Sequence, residues 1–289
     1  MAKSLRLVFP QWQGADIARI VPEVSPDSAA QGYLWGSRIL DLLLPRTQDE
    51  TFVVPVDTAV QRSVSAGVYD ADILATQTKD ALKLLQISKA DQVLTLGGEC
   101  SVSVAPFTYL KARFKDDVAI LWLDAHPDIT LPGDPYAGFH AMAVSALLGR
   151  GDARIIAKLP ATFKSEEILL VGLRDWEREE IYQRQLSWGL KHVSPDTLAS
   201  NLAPLEAWLK ACPCSKVAVH FDVDVLDPAD LFCAAGKCPQ GLKLIQCMEI
   251  IKLAATYKEL VGLTIAELMP RTLLRLRDHL TTLPLIGPA

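Results

Sequence analysis

The sequence predicts an α/β fold in which helices cover a mostly parallel β-sheet. Short apolar runs alternate with longer amphipathic segments along the 289 residues. Several of the short runs, such as Val118–Leu123, are apolar at consecutive positions, which is typical of strands buried on both faces of a parallel sheet. The connections are short, and this alternation is the pattern of repeated strand–helix–strand units.

The apolar runs and the amphipathic segments give a complete set of expected elements. We expect strands at 5–9, 52–56, 93–96, 118–123, 168–173, 217–221 and 260–265. We expect helices at 27–44, 70–86, 140–148, 195–209, 242–257 and 271–280. The helix at 27–44 begins at a Ser-Pro-Asp capping signal and stops before Pro45, and the helix at 70–86 aligns Leu74, Ala81 and Leu85 on one stripe.

Three loops remain between these elements, at 57–69, 127–139 and 227–240. The last two are rich in proline, glycine and aspartate, and each follows a predicted strand. Ligands of open α/β sheets bind beyond the carboxyl ends of the strands, so we expect the functional site at these two loops.

Composition and charge narrow the class of protein. Half of the residues are hydrophobic and 22% are charged, which excludes disorder, and no linker divides residues 1–289, so we expect one domain. The net charge of −5 argues against a nucleic-acid partner. No apolar run approaches the roughly 18 residues of a membrane span, and the N-terminus lacks a signal-peptide core, so we expect a cytoplasmic protein that binds no membrane. The six cysteines are then expected to be reduced thiols.

Two clusters of potential metal ligands follow two of the predicted strands. Asp124, His126 and Asp128 fall within five residues after the strand at 118–123, and Asp222 and Asp224 follow the strand at 217–221. Side chains two residues apart in extended backbone point to the same face, so each cluster can converge on one pocket.

Four carboxylates beside apolar strands are costly unless a cation neutralises them. Mixed carboxylate and imidazole ligands suit Mn, Fe, Co or Zn, and the number of ligands favours two ions over one. The alternative interpretation is that these aspartates are turn and helix-capping residues at the ends of strands, a common role of aspartate.

The chain resembles the arginase/agmatinase family, the ureohydrolases. The family carries a G-G-D-H-S segment, a D-A-H-x-D segment, a histidine-led helix, an S-x-D-x-D-x-x-D-P segment and a late glutamate in an E-x-x-P context. In the same order this chain has GGECS at 97–101, DAHPD at 124–128, HAM at 140–142, HFDVDVLDP at 220–228 and ELMP at 267–270. The resemblance covers about residues 90–270.

The resemblance implies a three-layer α/β/α fold with an eight-stranded parallel sheet and two Mn²⁺ ions at its edge. By this resemblance the metal ligands are Cys100, Asp124, His126, Asp128, Asp222 and Asp224. A metal-bridging hydroxide would attack the guanidinium carbon of a small guanidino substrate, His140 would transfer a proton to the departing amine, and Glu267 would orient the guanidinium. The family commonly forms trimers or hexamers, so a homo-oligomer is expected.

Position 100 is the main departure from the family, because cysteine stands where the family has histidine. A thiolate is a soft ligand, whereas Mn²⁺ prefers oxygen and nitrogen. Cys100 could bind a metal and shift the preference toward Zn or Fe, hold its ion weakly with partial occupancy, or stand aside while the site uses one metal. The substitution would also suit a modified guanidine such as N-hydroxy-arginine.

The substrate loop is the second departure. The family's S-G-N-x-H segment is replaced by AGFH at 137–140, while Asp175 and Glu177 resemble the arginase R-D-x-D carboxylates. Together with Thr130 in the preceding loop, they are the expected substrate-binding residues.

We therefore expect a metal-dependent amidinohydrolase that releases urea or hydroxyurea from an arginine-type or N-hydroxy-arginine-type compound and leaves an amine such as ornithine. Two alternatives stay open at this point. One is a family member that has lost catalysis and acts as a regulatory or interaction subunit. The other is an enzyme acting on agmatine or on a formimino C–N bond.

Overall fold

The computed structural model of the chain describes residues 2–60 and 62–280. Residue 61, in the predicted loop 57–69, and the last nine residues of the expected domain lie outside this range. Ten strands are described: β1 (Ser4–Phe9), β2 (Glu50–Val53), β3 (Val64–Ser65), β4 (Val68–Tyr69), β5 (Gln92–Gly97), β6 (Val118–Leu123), β7 (Ile168–Val171), β8 (Lys191–Val193), β9 (Lys216–Asp222) and β10 (Glu259–Ala266).

Eight of these strands form one sheet in the order β2-β1-β5-β10-β9-β6-β7-β8. Every strand pairing in this sheet is parallel. The sheet confirms the predicted α/β class and the eight-stranded count that the family resemblance implies. The strands β3 and β4 form a separate antiparallel hairpin inside the predicted loop 57–69.

The helices connect the strands and cover the sheet. They are α1 (Pro26–Ala30), α2 (Gly32–Leu43), α3 (Ala71–Ser88), α4 (Val104–Arg113), α5 (Ala143–Leu147), α6 (Ala153–Ile156), α7 (Glu179–Ser187), α8 (Pro195–Ser200), α9 (Ala203–Ala211), α10 (Leu244–Tyr257) and α11 (Arg271–Leu280). Single 3-10 turns lie at Cys100–Ser103, His140–Met142, Ser165–Glu167 and Val223–Val225. No helix of the described residues is long and apolar enough to cross a membrane.

Side-chain alternation along the strands builds two cores, one on each face of the sheet. In β6, which is buried along its whole length, Ile120 and Trp122 join the core beneath α3, α4 and α5, whereas Leu121 and Leu123 join the core beneath α9 and α10. A strand buried on both faces must be apolar throughout, which explains the continuous run in the sequence. Helices on both faces of a sheet make the three-layer architecture.

Several predicted helices were wrong in their extent. The helix predicted at 27–44 is two helices, α1 and α2, separated at Gln31. The helix predicted at 195–209 is likewise divided into α8 and α9, because Asn201 is extended. The segment at 140–148 begins as a 3-10 turn before α5. Apolar periodicity continues across such breaks and does not reveal them.

Other elements were absent from the prediction. The helix α4 was missed because it is buried on nearly all sides and shows no polar stripe. The strand β8 is three residues long and half exposed, so it carries little hydrophobic signal. The short helices α6 and α7 were also missed. The strand predicted at 52–56 ends at Val53, because Pro55 cannot donate a hydrogen bond to a neighbouring strand.

The order of the strands positions the functional site. The strands β5 and β6 are consecutive neighbours of the predicted set, but β10 and β9 lie between them in the sheet. The carboxyl ends of β5, β10, β9 and β6 therefore stand side by side. This is the position at which open α/β sheets bind their ligands.

Candidate metal centre and active-site cleft

Each of the four central strands delivers a predicted site residue at its carboxyl end. Cys100 follows β5, Glu267 follows β10, Asp222 ends β9, and Asp124 follows β6. All four side chains are buried. The structure thus brings together residues that are up to 167 positions apart in the chain.

The first group of potential ligands consists of Asp124, His126 and Asp224, whose ligand atoms all lie within 4.8 Å of one another. His126 Nδ1 is 3.0 Å from Asp224 Oδ2 and 3.5 Å from Asp124 Oδ1. The backbone N–H groups of Ala125 and His126 donate to Asp224 Oδ1 and Asp124 Oδ1 and hold both carboxylates in place. These backbone hydrogen bonds thus fix two of the three ligands of the group.

The second group is completely buried and contains Cys100, Asp124 and Asp222, together with His220 from β9. The Cys100 thiol donates to Asp222 Oδ2 at 2.8 Å, and Cys100 Sγ lies 3.9 Å from Asp124 Oδ2. Trp122 Nε1 donates to the same Asp124 oxygen at 2.9 Å. Asp124 thus belongs to both groups, as expected of a residue that bridges two ions.

Asp128 lies in the same cleft but belongs to neither group. Its backbone is in the left-handed region at φ 49°, where a non-glycine residue is strained. Within residues 2–60 and 62–280, its buried Oδ2 atom has no hydrogen-bond partner. An unpaired buried carboxylate oxygen beside two ligand groups is consistent with a cation partner.

Charge in this centre is strongly perturbed. Burial, followed by repulsion from Asp224, raises the pKa of Asp124 to about 6, and burial with neighbouring carboxylates raises the pKa values of Asp222 and Asp128 well above their usual range. Burial also opposes ionisation of Asp224, but the adjacent His126 overcomes it and holds the Asp224 pKa at about 2. Oxygen, nitrogen and sulfur donors crowded in this way fit divalent metal ions, which would remove the repulsion.

Cys100 is held as a thiol by its surroundings. Burial raises its pKa well above the usual value, and the charges of Asp222 and Glu267 act in the same direction. Only the thiolate is a metal ligand. The buried carboxylates disfavour the thiolate, so a bound cation would have to stabilise it.

His140 and Glu267 form a pair beside the metal groups. His140 Nδ1 is 2.9 Å from Glu267 Oε1, and the hydroxyl of Tyr136 is 2.8 Å from His140 Nε2. Burial lowers the His140 pKa, but Tyr136 and Glu267 overcome this and raise it well above 6.5. The hydroxyl of Tyr33 donates to Glu267 Oε2 at 2.6 Å. The pair is therefore held between the hydroxyls of two tyrosines.

A cleft of about 310 Å³ opens above these groups. The predicted substrate residues Thr130, Asp175 and Glu177 all line it. Thr130 is buried and its hydroxyl donates to the Ala141 carbonyl at 2.8 Å, whereas Asp175 and Glu177 are exposed at the rim. Asp175 and Glu177 can therefore meet a cationic group directly, while Thr130 shapes the wall.

Arg174 fastens the loop 227–240 to this end of the sheet. Its guanidinium donates to the carbonyls of Gly172, Asp224, Val225, Cys238 and Pro239. A planar cation with five N–H donors satisfies several carbonyls at once, which lysine cannot do. The loop is thereby held at the mouth of the cleft.

Sequence reasoning missed three residues of this site: Tyr33, Tyr136 in its contact with His140, and His220. Nothing local identifies Tyr33, because its contact with Glu267 spans 234 positions. His220 was identifiable, since it stands two residues before Asp222 on one strand and therefore on the same face.

The fold and the centre define a class of α/β protein with a buried metal-ligand cluster at the carboxyl edge of a parallel sheet. A model of the arginase family matches residues 47–275, which is most of the chain. The chain belongs to the arginase family, which confirms the resemblance found in the sequence.

Known relatives agree with this assignment. The chain is 29% identical to an arginase of Eremothecium gossypii over 185 residues, covering 61% of this chain and 46% of that protein. The alignment thus spans about half of that relative's length. Among solved structures, the arginase of Entamoeba histolytica in complex with L-ornithine superposes with a TM-score of 0.77 at 16% identity, over 96% of this chain and 97% of that one. The formimidoylglutamase of Bacillus subtilis has a TM-score of 0.67 at 16% identity, over 94% and 84%.

Proposed function

We propose that this chain is a metal-dependent amidinohydrolase that cleaves the guanidino group of an arginine-type compound. Water adds to the guanidinium carbon and the bond to the side-chain nitrogen breaks, so a guanidinium and water become an alkylammonium ion and urea. With N-hydroxy-arginine the products are hydroxyurea and ornithine. The observation that carries the proposal is the convergence of Cys100, Asp124, Asp222 and Glu267 beneath one cleft.

The two ligand groups fit two divalent ions, Mn²⁺ by family resemblance. Asp124, His126 and Asp224 would hold one ion, and Cys100, Asp124 and Asp222 the other. Asp128, which lines the same cleft and has a buried oxygen without a hydrogen-bond partner among the described residues, is the remaining expected ligand. Bound there, such ions supply Lewis acidity and lower the pKa of a coordinated water to about 7.

His140 is the proposed proton donor to the departing amine. The Glu267 carboxylate at 2.9 Å favours the imidazolium, and Tyr136 fixes the other side of the ring. A charged imidazole beside the scissile bond can protonate the amine as the bond breaks. His140 also lines the cleft, so it is accessible to a substrate.

Glu267 is the proposed anchor of the guanidinium. It is buried at the floor of the cleft, and Tyr33 holds one of its oxygens. Its backbone is in the left-handed region at φ 64°, a strained conformation for a residue other than glycine. A buried carboxylate makes charge-assisted hydrogen bonds to a guanidinium and orients it for attack.

The rim of the cleft supports an amino-acid substrate. Asp175 and Glu177 offer negative charge to an α-ammonium group, and Lys237 from the loop 227–240 lines the same cleft. A rim with both signs of charge matches the zwitterionic end of an amino acid. The simple amine agmatine lacks the carboxylate that Lys237 would meet.

The test combines elemental analysis with product analysis. Protein reconstituted with Mn²⁺ or Zn²⁺ is assayed for urea or hydroxyurea from arginine, N-hydroxy-arginine, agmatine and guanidinobutyrate, with ammonia and formamide measured separately. We expect about two ions per chain and the fastest turnover on an amino-acid substrate. Formamide from a formimino compound would move the assignment to that reaction, and a metal-loaded protein without turnover would contradict the proposal.

A matched pair of histidine variants checks the role of His140. H140Q removes the imidazole beside Glu267 and should lower kcat by about 10²- to 10⁴-fold. H192Q alters an exposed histidine on β8, outside the cleft lining, and should leave kcat unchanged. Equal rates for the two variants would remove His140 from the reaction.

A further inference from the structure

His220 is a buried histidine that the proposed reaction does not use. It lies on β9 in the centre of the sheet and is 0% exposed. Its Nε2 atom has no hydrogen-bond partner among the residues that the structure describes. A buried imidazole nitrogen without a partner is costly, so it calls for a physical explanation.

Two contacts fix the orientation of the His220 ring. Trp122 on the adjacent strand β6 stacks on it with ring centroids 3.6 Å apart and an interplanar angle of 12°. Ser103 Oγ is 2.8 Å from His220 Nδ1 on the opposite edge of the ring. With the proton on Nδ1 and directed at Ser103, the Nε2 lone pair is free. Histidines that bind metals use this arrangement, in which the second nitrogen is fixed by a hydrogen bond.

The free nitrogen points into the second ligand group. His220 Nε2 is 4.0 Å from Asp124 Oδ2, and the ligand atoms of His220, Cys100, Asp124 and Asp222 all lie within 4.8 Å of one another. A separation of 4.0 Å is too long for a hydrogen bond. Two ligands on one tetrahedral ion, with Zn–N and Zn–O bonds of about 2.0–2.2 Å, lie roughly 3.4 Å apart, so these two atoms would approach each other by about half an ångström to share an ion.

We propose that Cys100, Asp124, Asp222 and His220 form a four-ligand cation site in which His220 Nε2 binds the ion. The proposal deepens the proposed function, because it names the ligands of the inner ion of that centre. Thiolate, imidazole and two carboxylates suit Zn²⁺, Fe²⁺ or Co²⁺ better than Mn²⁺.

The residues at positions 100 and 220 also support a ligand role for His220. The family segments place histidine at the position of Cys100 and serine at the position of His220. In this chain the first position is cysteine and the second is histidine. Both residues belong to the second ligand group. The imidazole absent from position 100 is thus supplied from the floor of the site by β9.

Cobalt spectroscopy of the whole chain tests the proposal with Co²⁺ alone as the probe. Wild-type protein should show a thiolate-to-cobalt charge-transfer band and intense visible bands of a four-coordinate ion. H220S and H220Q should keep the charge-transfer band from Cys100, lose intensity in the visible bands, and bind Co²⁺ at least about tenfold more weakly. C100S should lose the charge-transfer band.

Two further variants serve as controls. T264V removes the buried hydroxyl of Thr264, which pairs with His220 in the sheet and also has no hydrogen-bond partner among the described residues. This variant should change neither the affinity for Co²⁺ nor the spectrum. S103A removes the partner of Nδ1 and should weaken Co²⁺ binding less than H220S does. In C100H, the additional change H220S should cost little affinity, because an imidazole is again present.

The outcomes separate this proposal from the proposed function. Wild-type affinity and wild-type cobalt bands in folded H220S and H220Q would overturn the role of His220, whatever the protein hydrolyses. Altered bands in a protein that releases no urea would uphold the metal site and contradict the reaction. If both variants fail to fold, nitrogen NMR of histidine-labelled wild-type protein decides: an Nε2 shift of the buried neutral histidine on adding Zn²⁺ supports the proposal, and no shift overturns it.

Discussion

At position 100 the chain places a thiol among carboxylates. Cys100 lies between Asp222 and Glu267, at 2.8 and 3.3 Å from their oxygens, and is 1% exposed. Both neighbours are hydrogen-bond acceptors for the thiol. The identity of this one residue therefore influences which metal the centre prefers.

Replacing Cys100 with histidine should raise the affinity for Mn²⁺ by about tenfold, because imidazole suits this ion better than thiolate does. Chelator competition with Mn²⁺ measures the change, and elemental analysis gives the stoichiometry. The variant C233S, which alters a half-buried cysteine outside both ligand groups, is the control. Unchanged affinity and metal content in C100H would contradict the prediction.

The Tyr33 hydroxyl donates a hydrogen bond to the carboxylate of Glu267, and hydrogen bonds to charged groups are stronger than those to neutral groups. Y33F leaves Glu267 Oε2 without its buried donor, and should lower the free energy of unfolding by about 1.5–3 kcal/mol. Y109F removes a similarly buried hydroxyl from a neutral carbonyl, that of Ala90, and should cost only about 0.5–1.5 kcal/mol. Urea denaturation of both variants checks this, and equal losses would show that the charge on Glu267 is not what Tyr33 stabilises.

At the scale of elements, the substrate loop is tied to α7 by one ion pair. Arg184 donates to both oxygens of Asp134, at 2.5 and 3.0 Å, and also to the carbonyl of Ile129. The hydrogen bonds from Arg184 lower the Asp134 pKa below its usual value. The loop that carries Thr130 and Tyr136 is thereby anchored by a helix that the sequence did not reveal.

The depressed Asp134 pKa fixes the sign of its pH dependence. The stabilisation is complete above the unfolded-state pKa of about 3.9 and is lost as pH falls through the lower folded-state pKa. D134N should remove it at all pH values, at a cost of about 1 kcal/mol, and should speed amide hydrogen exchange in the loop at neutral pH. E206Q, at an exposed pair with Lys210, is the control, and equal exchange in the two variants would refute the tether.

At the scale of the whole molecule, the eight-stranded sheet joins both halves of the chain. We expect one cooperative unfolding transition, because β10 near the C-terminus pairs between β5 and β9 and so unites strands from both halves of the chain in the eight-stranded sheet. Calorimetry tests this through equal calorimetric and van't Hoff enthalpies in metal-free protein. Two separate transitions would divide the chain into more than one domain.

Metal binding should stabilise the same unit. An ion at 100 times its Kd adds about 2.7 kcal/mol to the free energy of unfolding, and a chelator removes this increment. The double variant D124N/D222N lacks the carboxylate that both ligand groups share and a second carboxylate of the Cys100 group, and should show no rise in Tm with added Zn²⁺ or Co²⁺. A Tm rise equal to that of the wild type would place the ions elsewhere.

Much of the site was predictable because its residues are local to strand ends. Asp124, His126 and Asp222 could be read from their position after apolar runs and from their spacing of two. The partners of Glu267 and His140 were not predictable, since Tyr33 and Tyr136 reach them through loop and helix packing that leaves no periodic pattern. The helix α4 and the short strand β8 were not predicted because neither shows an amphipathic pattern. The helix α4 is buried on nearly all sides, and β8 is mostly exposed.

The sequence by itself determined the fold class, the family and the chemical character of the centre, because continuous apolar runs, strand-end aspartates and ordered motifs are local properties of the chain. Only the tertiary structure decided which residues meet. The insertion of β10 and β9 between β5 and β6 brings Cys100, Glu267, Asp222 and Asp124 to one edge, and the stacking of Trp122 on His220 aims a fifth residue at them. Strand order and ring orientation arise from packing among distant segments, and no local pattern encodes them.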